Sequence, residues 1–358
     1  MLILDAHQDI AFNALHYGWD YTRSVLESRR RAAAGEADAR LAGITNGLPD
    51  ALLGQVGVIC ATLFADPAFS PYLGERQGGY TTPEEAYRQA IQQWDYYQRL
   101  NEEQIVLDLV RDEAELNTVL DTWADGTDLA DHHIGLVLLM EGADPIIEPQ
   151  QLDEWVERGL RIVGPAWSTT RYTHGTGDPG PLTDLGRELL TVMADFNLVL
   201  DLSHMTEVGF LESLDRYEGP VFASHANPTS CWDNHRNVND EQIRRMAERD
   251  GVIGISIFNR FLSNDWYRGA PKRDFPLSLL IDAIDHVCQV TGSAAHVGIG
   301  SDIDGGFSVS EIPAELDTIT DFQLIGMQLR ARGYSEADIA GVLSGNFLRV
   351  LRRSLSTF

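Results

Sequence analysis

Eight short segments dense in valine, isoleucine and leucine recur along the 358 residues: Leu2–His7, Gln55–Phe64, Ile134–Glu141, Leu160–Trp167, Leu198–His204, Val221–His225, Val252–Phe258 and Val297–Asp302. Most are unbroken apolar runs, the pattern of strands buried on both faces of a parallel sheet that helices cover. Amphipathic stretches with start signals lie between them. Thr82-Pro83-Glu84-Glu85 offers an N-cap threonine, a proline at the first helical position and acids that the helix dipole favours, so a helix is expected from there toward Leu100. Thr183 precedes a helical pattern through Phe196, Asn239 opens another that stops before Gly251, and Ser335 begins a C-terminal helical region. This repeated alternation predicts an α/β chain folded as a (β/α)8 TIM-like barrel in preference to a doubly wound sheet. No stretch reads as a linker, so residues 1–358 are expected to form a single barrel domain. The segment at about 13–53 is longer than a simple connection and carries Arg23, Arg29, Arg30 and Arg31. It reads as an insertion helix and as a candidate lid.

Composition narrows the function. With 54 acidic against 27 basic side chains the net charge is −27, which would repel nucleic acid. No apolar run is long enough to span a bilayer. The opening MLILDAHQDI lacks a basic region, and no apolar tail closes the sequence, so neither a signal peptide nor a lipid anchor is expected. Cys60, Cys231 and Cys288 are odd in number and widely spaced, which predicts reduced thiols and a cytoplasmic protein. The only lysine, Lys272, follows Pro271 in an irregular stretch, which leaves Schiff-base, P-loop and Ser-Lys chemistry without their lysine.

Active sites of such barrels gather at the carboxyl ends of the strands. Those ends read Asp5-Ala6-His7-Gln8-Asp9, Met140-Glu141-Gly142, Asp201-Leu202-Ser203-His204, Ala223-Ser224-His225 and Gly300-Ser301-Asp302-Ile303-Asp304-Gly305-Gly306. Each supplies metal-ligand residue types. His7 and Asp9 are two apart, so on an extended strand they share a face and can share one ion. His204 and His225 can take a second, with Glu141 bridging the two. A lone strand-end histidine is an ordinary packing residue; five ligand-type residues at four strand ends are not. No G-x-S-x-G, H-E-x-x-H, P-loop or G-x-G-x-x-G competes.

On these motifs, with Arg236-Asn237-Val238 and the tail Gly345-Asn346-Phe347-Leu348-Arg349, the chain resembles the membrane (renal) dipeptidases, peptidase family M19, from Asp5 to about Leu351. The resemblance implies a dipeptidase with two zinc ions per chain, one held by His7 and Asp9, the other by His204 and His225, with Glu141 between them. It further implies a dipeptide substrate cut by a metal-bridging hydroxide, with Asp302 as proton shuttle and Arg236 gripping the free carboxylate. The other reading of Arg236 is a surface ion pair with Asp233 or Asp240. A homodimer is implied by the family, and no nucleic-acid or membrane partner is expected. One departure is plain. Where the family's fourth strand carries a substrate-contacting histidine, this sequence has Trp167, with Arg171, Tyr172 and His174 following as candidates for substrate contact. That change admits an alternative, a related amidohydrolase acting on N-acyl amino acids or lactams. A binding protein that has lost turnover is a third reading.

Overall fold

The computed structural model describes residues 1–357. Eight parallel strands close on themselves: β1 (Ile3–Gln8), β2 (Val56–Phe64), β3 (Ile134–Glu141), β4 (Leu160–Gly164), β5 (Val199–Asp201), β6 (Val221–Ala223), β7 (Val252–Ile255) and β8 (Val297–Ile299). Each pairs with the next, and β8 returns to β1 with Asp5 opposite Ile299. The longest ladder joins β2 to β3, from Val58↔Gly135 to Phe64↔Glu141, where both strands are buried throughout. The expected (β/α)8 barrel is therefore the fold observed.

Two buried layers hold it. One cluster takes Leu4, Ala6, Val58, Cys60, Val137, Leu139, Ile162, Val199, Phe222 and Val252 together with Phe347, Val350 and Leu351. Only the barrel interior can collect residues from seven strands, so helix Asn346–Leu355 closes one end of it. Phe347 meets Phe222 edge-on at 5.3 Å, and a Cβ on Gly298 would lie 2.5 Å from the Phe347 ring, which explains a glycine in β8. The larger cluster lies between the strands and the outer helices.

Helix starts follow their signals. Thr82, Thr183, Asn239 and Ser335 each accept a backbone N–H of the first turn, and Asn239 forms a full capping box with Gln242. Strand ends were overrun: Leu198–His204 proves to be Val199–Asp201, and Val297–Asp302 proves to be Val297–Ile299. His204 (φ 64°) and Asp302 (φ 57°) are left-handed, so the backbone has already turned out of the ladder when it reaches them. A strand of three residues, Leu107–Leu109, lies beside the start of β3 and gave no readable sequence signal. The 13–53 segment contains helices Val25–Ala33 and Leu48–Leu53. Its Arg29 is tied down, donating to the Ile44 carbonyl at 2.9 Å and to the Asp317 carboxylate at 2.8 Å. The three cysteines are free thiols. Among the described residues no helix is long and apolar enough to cross a membrane.

Candidate metal centre

Glu141, the last residue of β3, is surrounded by imidazoles. Its Oε1 lies 3.1 Å from His204 Nε2 and 3.6 Å from both His7 Nε2 and His225 Nε2. His7 Nε2 is also 3.8 Å from Asp9 Oδ1. Three overlapping groups have donor atoms mutually within 4.8 Å: His7, Asp9 and Glu141; Glu141, His204 and His225; and His7, His225 and Asp302. The structure thus brings together all five residues expected as ligands, and adds Asp302 to the set.

His7 and Asp9 converge by a route other than the simple alternation expected. On β1 the register slips, with Asp5 opposite Ile59 but Gln8 opposite Ala61, so three steps on one strand match two on the other. Such a bulge re-aims the side chains next to it. Asp9 lies beyond the strand, at the N-cap of helix Ile10–Tyr17. Its carboxylate makes no cap hydrogen bond and instead accepts the Thr62 hydroxyl at 2.5 Å.

A polar scaffold beneath sets the imidazole tautomers. Ser224 Oγ donates its single proton to Asp201 Oδ2 at 2.6 Å. It must therefore accept from His225 Nδ1, 2.8 Å away, which leaves the His225 Nε2 lone pair facing Glu141. Ser224 Oγ also lies 3.3 Å from His7 Nδ1, and Thr176 Oγ1 is 2.9 Å from His204 Nδ1. Asp201 accepts the backbone N–H of Ser224 and of Ser203, at 2.8 and 3.0 Å. Asp5, fully buried, accepts from Gln8 Nε2 at 2.7 Å and from the Ser301 N–H at 2.7 Å. Neither acid nor serine was singled out from the sequence for this work; the only signal was their place in the same strand-end motifs.

The electrostatics describe a basin of electron pairs. Burial pushes the Glu141 carboxyl well above its usual range, and the charges of Asp9, Asp302 and Asp201 push further. Burial raises Asp9 to about 6. Burial, then the charge of Arg236, lowers His7 to about 3, and His204 and His225 also fall well below the ordinary imidazole value. His204 Nε2 and His225 Nε2 are 2.9 Å apart, so with both rings in the Nδ1–H form two lone pairs face each other and repel unless positive charge lies among them. His7 Nε2 is buried with no hydrogen-bond partner among the described residues. Uncompensated polar atoms at this depth are costly. Neutral imidazoles and carboxylates around one point form a mixed N/O donor set that fits divalent cations.

Arg236 is 3% exposed, and neither Asp233 nor Asp240 pairs with it. Its Nη2 donates to the His225 carbonyl at 2.9 Å and lies 3.2 Å from His204 Nε2, while Nε and Nη1 have no hydrogen-bond partner among the described residues. Trp167 borders the same cluster, its ring 6.2 Å from His204 and 5.0 Å from Phe64. Tyr172 is elsewhere: fully buried, it donates its hydroxyl to the Ile146 carbonyl. His174 is held by Asp178 at 2.8 Å, within the ribbon of Thr173–Gly175 and Asp178–Leu182. Arg171 donates to the Ile146 and Ile147 carbonyls at 2.8 and 3.0 Å. These three are engaged in holding loops, and the structure does not bring them into the donor cluster.

A closed parallel barrel with buried imidazoles and carboxylates clustered beyond the carboxyl ends of its strands defines a metal-dependent hydrolase of the barrel class. The family model for membrane dipeptidase, peptidase family M19, matches residues 1–356, and the chain belongs to that family. It is thus an enzyme of the metallo-dipeptidase group. Among its relatives is an uncharacterized protein in the pqqA 5′ region of Klebsiella pneumoniae, 31% identical over 62% of this chain and 83% of that one. An uncharacterized dipeptidase of Schizosaccharomyces pombe is 27% identical over 62% of this chain; the match spans 54% of its length, little more than half. Among solved structures, a dipeptidase AC described as a metallo peptidase of family M19 superposes with a TM-score of 0.80 at 25% identity, over 99% of each chain.

Proposed function

We propose that the chain hydrolyses dipeptides with two zinc ions, His7 and Asp9 holding one, His204 and His225 the other, and Glu141 contributing to both. The observation that carries this is Glu141 Oε1 within 3.1–3.6 Å of three imidazole Nε2 atoms, with the unpartnered edge of Arg236 beside them. When bound, such ions polarise a carbonyl and lower the pKa of water toward ~7.

The chain's own groups do the rest. Arg236 has two free donors and a buried charge, so it can take a carboxylate in bidentate fashion and fix the substrate's register. Asp302 carries a carboxyl that burial and then the charge of Asp9 push well above its usual range, with Arg236 opposing. A carboxyl biased toward holding a proton suits a group that takes one from water and returns it to the leaving amine. Ser224 holds His225 in the tautomer that presents Nε2, and Thr176 offers His204 Nδ1 a hydroxyl that can accept its proton in the same arrangement. Trp167 gives the site an apolar wall with Phe64. That wall favours, as the second reading, an acyl group of an N-acyl amino acid in place of the first residue of a dipeptide.

The test is purified protein with its metal content measured, assayed on L,L- and L,D-dipeptides and on N-acyl amino acids. Dipeptide turnover with two zinc ions per chain is the expected result. Turnover of acyl-amino acids alone would move the assignment to the second reading, and metal-loaded protein inert on both panels would overturn both.

A further inference from the structure

The loops after β2, β6 and β7 carry a second guanidinium to the barrel mouth. Arg260 lies over the Tyr72 ring at 5.5 Å and over the Trp232 ring at 5.2 Å. Trp232 stacks on Phe261 at 5.7 Å with the rings 19° apart, and Phe261 in turn faces Arg236 at 5.1 Å. One run of aromatic rings therefore joins Arg260 to Arg236. Arg260 is half-buried, yet among the described residues it has neither a carboxylate within ion-pair distance nor a hydrogen-bond acceptor for its side chain.

That condition is informative in a chain where acids outnumber bases 54 to 27. Most arginines here found a carboxylate, whereas this one has aromatic rings. Rings on the faces of a guanidinium leave its N–H edges open, and those edges match a carboxylate. The side chain is already held, so less rotamer freedom is lost when a ligand arrives. A net charge of −27 repels an anionic substrate at long range, and an unpaired cation at the entrance opposes that locally.

We propose that Arg260 is a second carboxylate subsite, and that the preferred substrates are dipeptides whose carboxyl-terminal residue is aspartate or glutamate. Arg236 takes the α-carboxylate and Arg260 the side-chain carboxylate. This rests on the dipeptidase reading and adds the substrate class to it. The competing role is a strut, with Arg260 merely joining two loops through cation–π contacts of about 0.5–1 kcal/mol each. A strut is indifferent to substrate charge.

The experiment compares kcat/KM of the metal-loaded enzyme for Ala-Glu against Ala-Gln and for Ala-Asp against Ala-Asn, in L,L and L,D forms. The acidic member should be favoured by about tenfold or more, the scale of one charge-assisted pair. In Arg260→Gln that ratio should fall to about one, in Arg260→Lys it should be partly restored, and in the control Arg99→Gln, at an exposed position on helix Pro83–Glu103, it should stay as in the wild type. Each ratio is read within one preparation, so a loss of folded protein cancels. A wild-type ratio near one, or a ratio that Arg260→Gln leaves unmoved, removes Arg260 from substrate selection while the dipeptidase reading stands. Hydrolysis of no dipeptide in either set overturns the dipeptidase reading, and this inference falls with it.

Discussion

Asp304 accepts both the backbone N–H of Thr45, at 3.0 Å, and its hydroxyl, at 2.6 Å, across 259 residues of sequence. The adjoining Asn46 donates its N–H to the same carboxylate at 3.0 Å and its side-chain amide to Gln8 at 2.8 Å. The 13–53 segment is thereby fastened to the loop that carries Asp302 and, through Gln8 and Asp5, to the base of the metal centre.

Thr45→Val keeps the shape and removes the hydroxyl donor from a carboxylate that is 4% exposed. A hydrogen bond to a buried charged group is worth about 1.5–3 kcal/mol, so the variant should lose that much stability. Urea denaturation checks it. A change below about 0.5 kcal/mol, the scale of a neutral surface substitution, would show that the fastening is weak.

Ser224→Ala takes away the acceptor for His225 Nδ1 and the donor to Asp201, two contacts that fix one imidazole tautomer. Outer partners of this kind typically govern metal affinity by 10–100-fold. Zinc affinity by competition with a chelator should fall by about that factor, while the far-ultraviolet circular dichroism stays as in the wild type. Unchanged affinity would assign the tautomer to some other contact.

The sequence made the barrel readable because buried parallel strands are unbroken apolar runs, and Ile134–Glu141 was delimited to the residue. It made the donor cluster readable because five ligand-type residues stood at strand ends. What it hid was conformational. Asp9 reaches His7 through a bulge and a helix cap, and no pattern of alternation encodes a bulge. His204 and Asp302 turn out of their strands in left-handed backbone, so apolar runs overestimate where β5 and β8 end. Tyr172 and His174 shared a motif with Trp167, but only packing could reveal that Tyr172 spends its hydroxyl on the Ile146 carbonyl. Asp201 and Ser224 looked like flanking residues because a hydrogen-bond network has no period.

Glu141→Gln keeps volume and removes charge at the atom nearest three imidazoles. A neutral amide is a poor partner for a divalent cation, and two of the three donor groups contain Glu141. Metal content per chain should drop, measured by elemental analysis after dialysis against a fixed free zinc concentration. Two ions retained at wild-type affinity would eliminate a shared role for Glu141.

Asp302 can act in two ways, and one substitution separates them. It groups with His7 and His225 as a set of donors, which makes it eligible as a ligand. It is absent from both donor groups that contain Glu141, and it sits in left-handed backbone with its carboxyl biased by burial toward the protonated form. If it carries the proton, Asp302→Asn keeps an oxygen of similar size in place but cannot accept one, so both metals stay and kcat falls by about 10²–10⁴. If it is chiefly a ligand, metal content falls first, and added zinc restores turnover. The expected result is unchanged metal content with lost kcat that zinc does not rescue, because five other donors already surround the ion sites without Asp302.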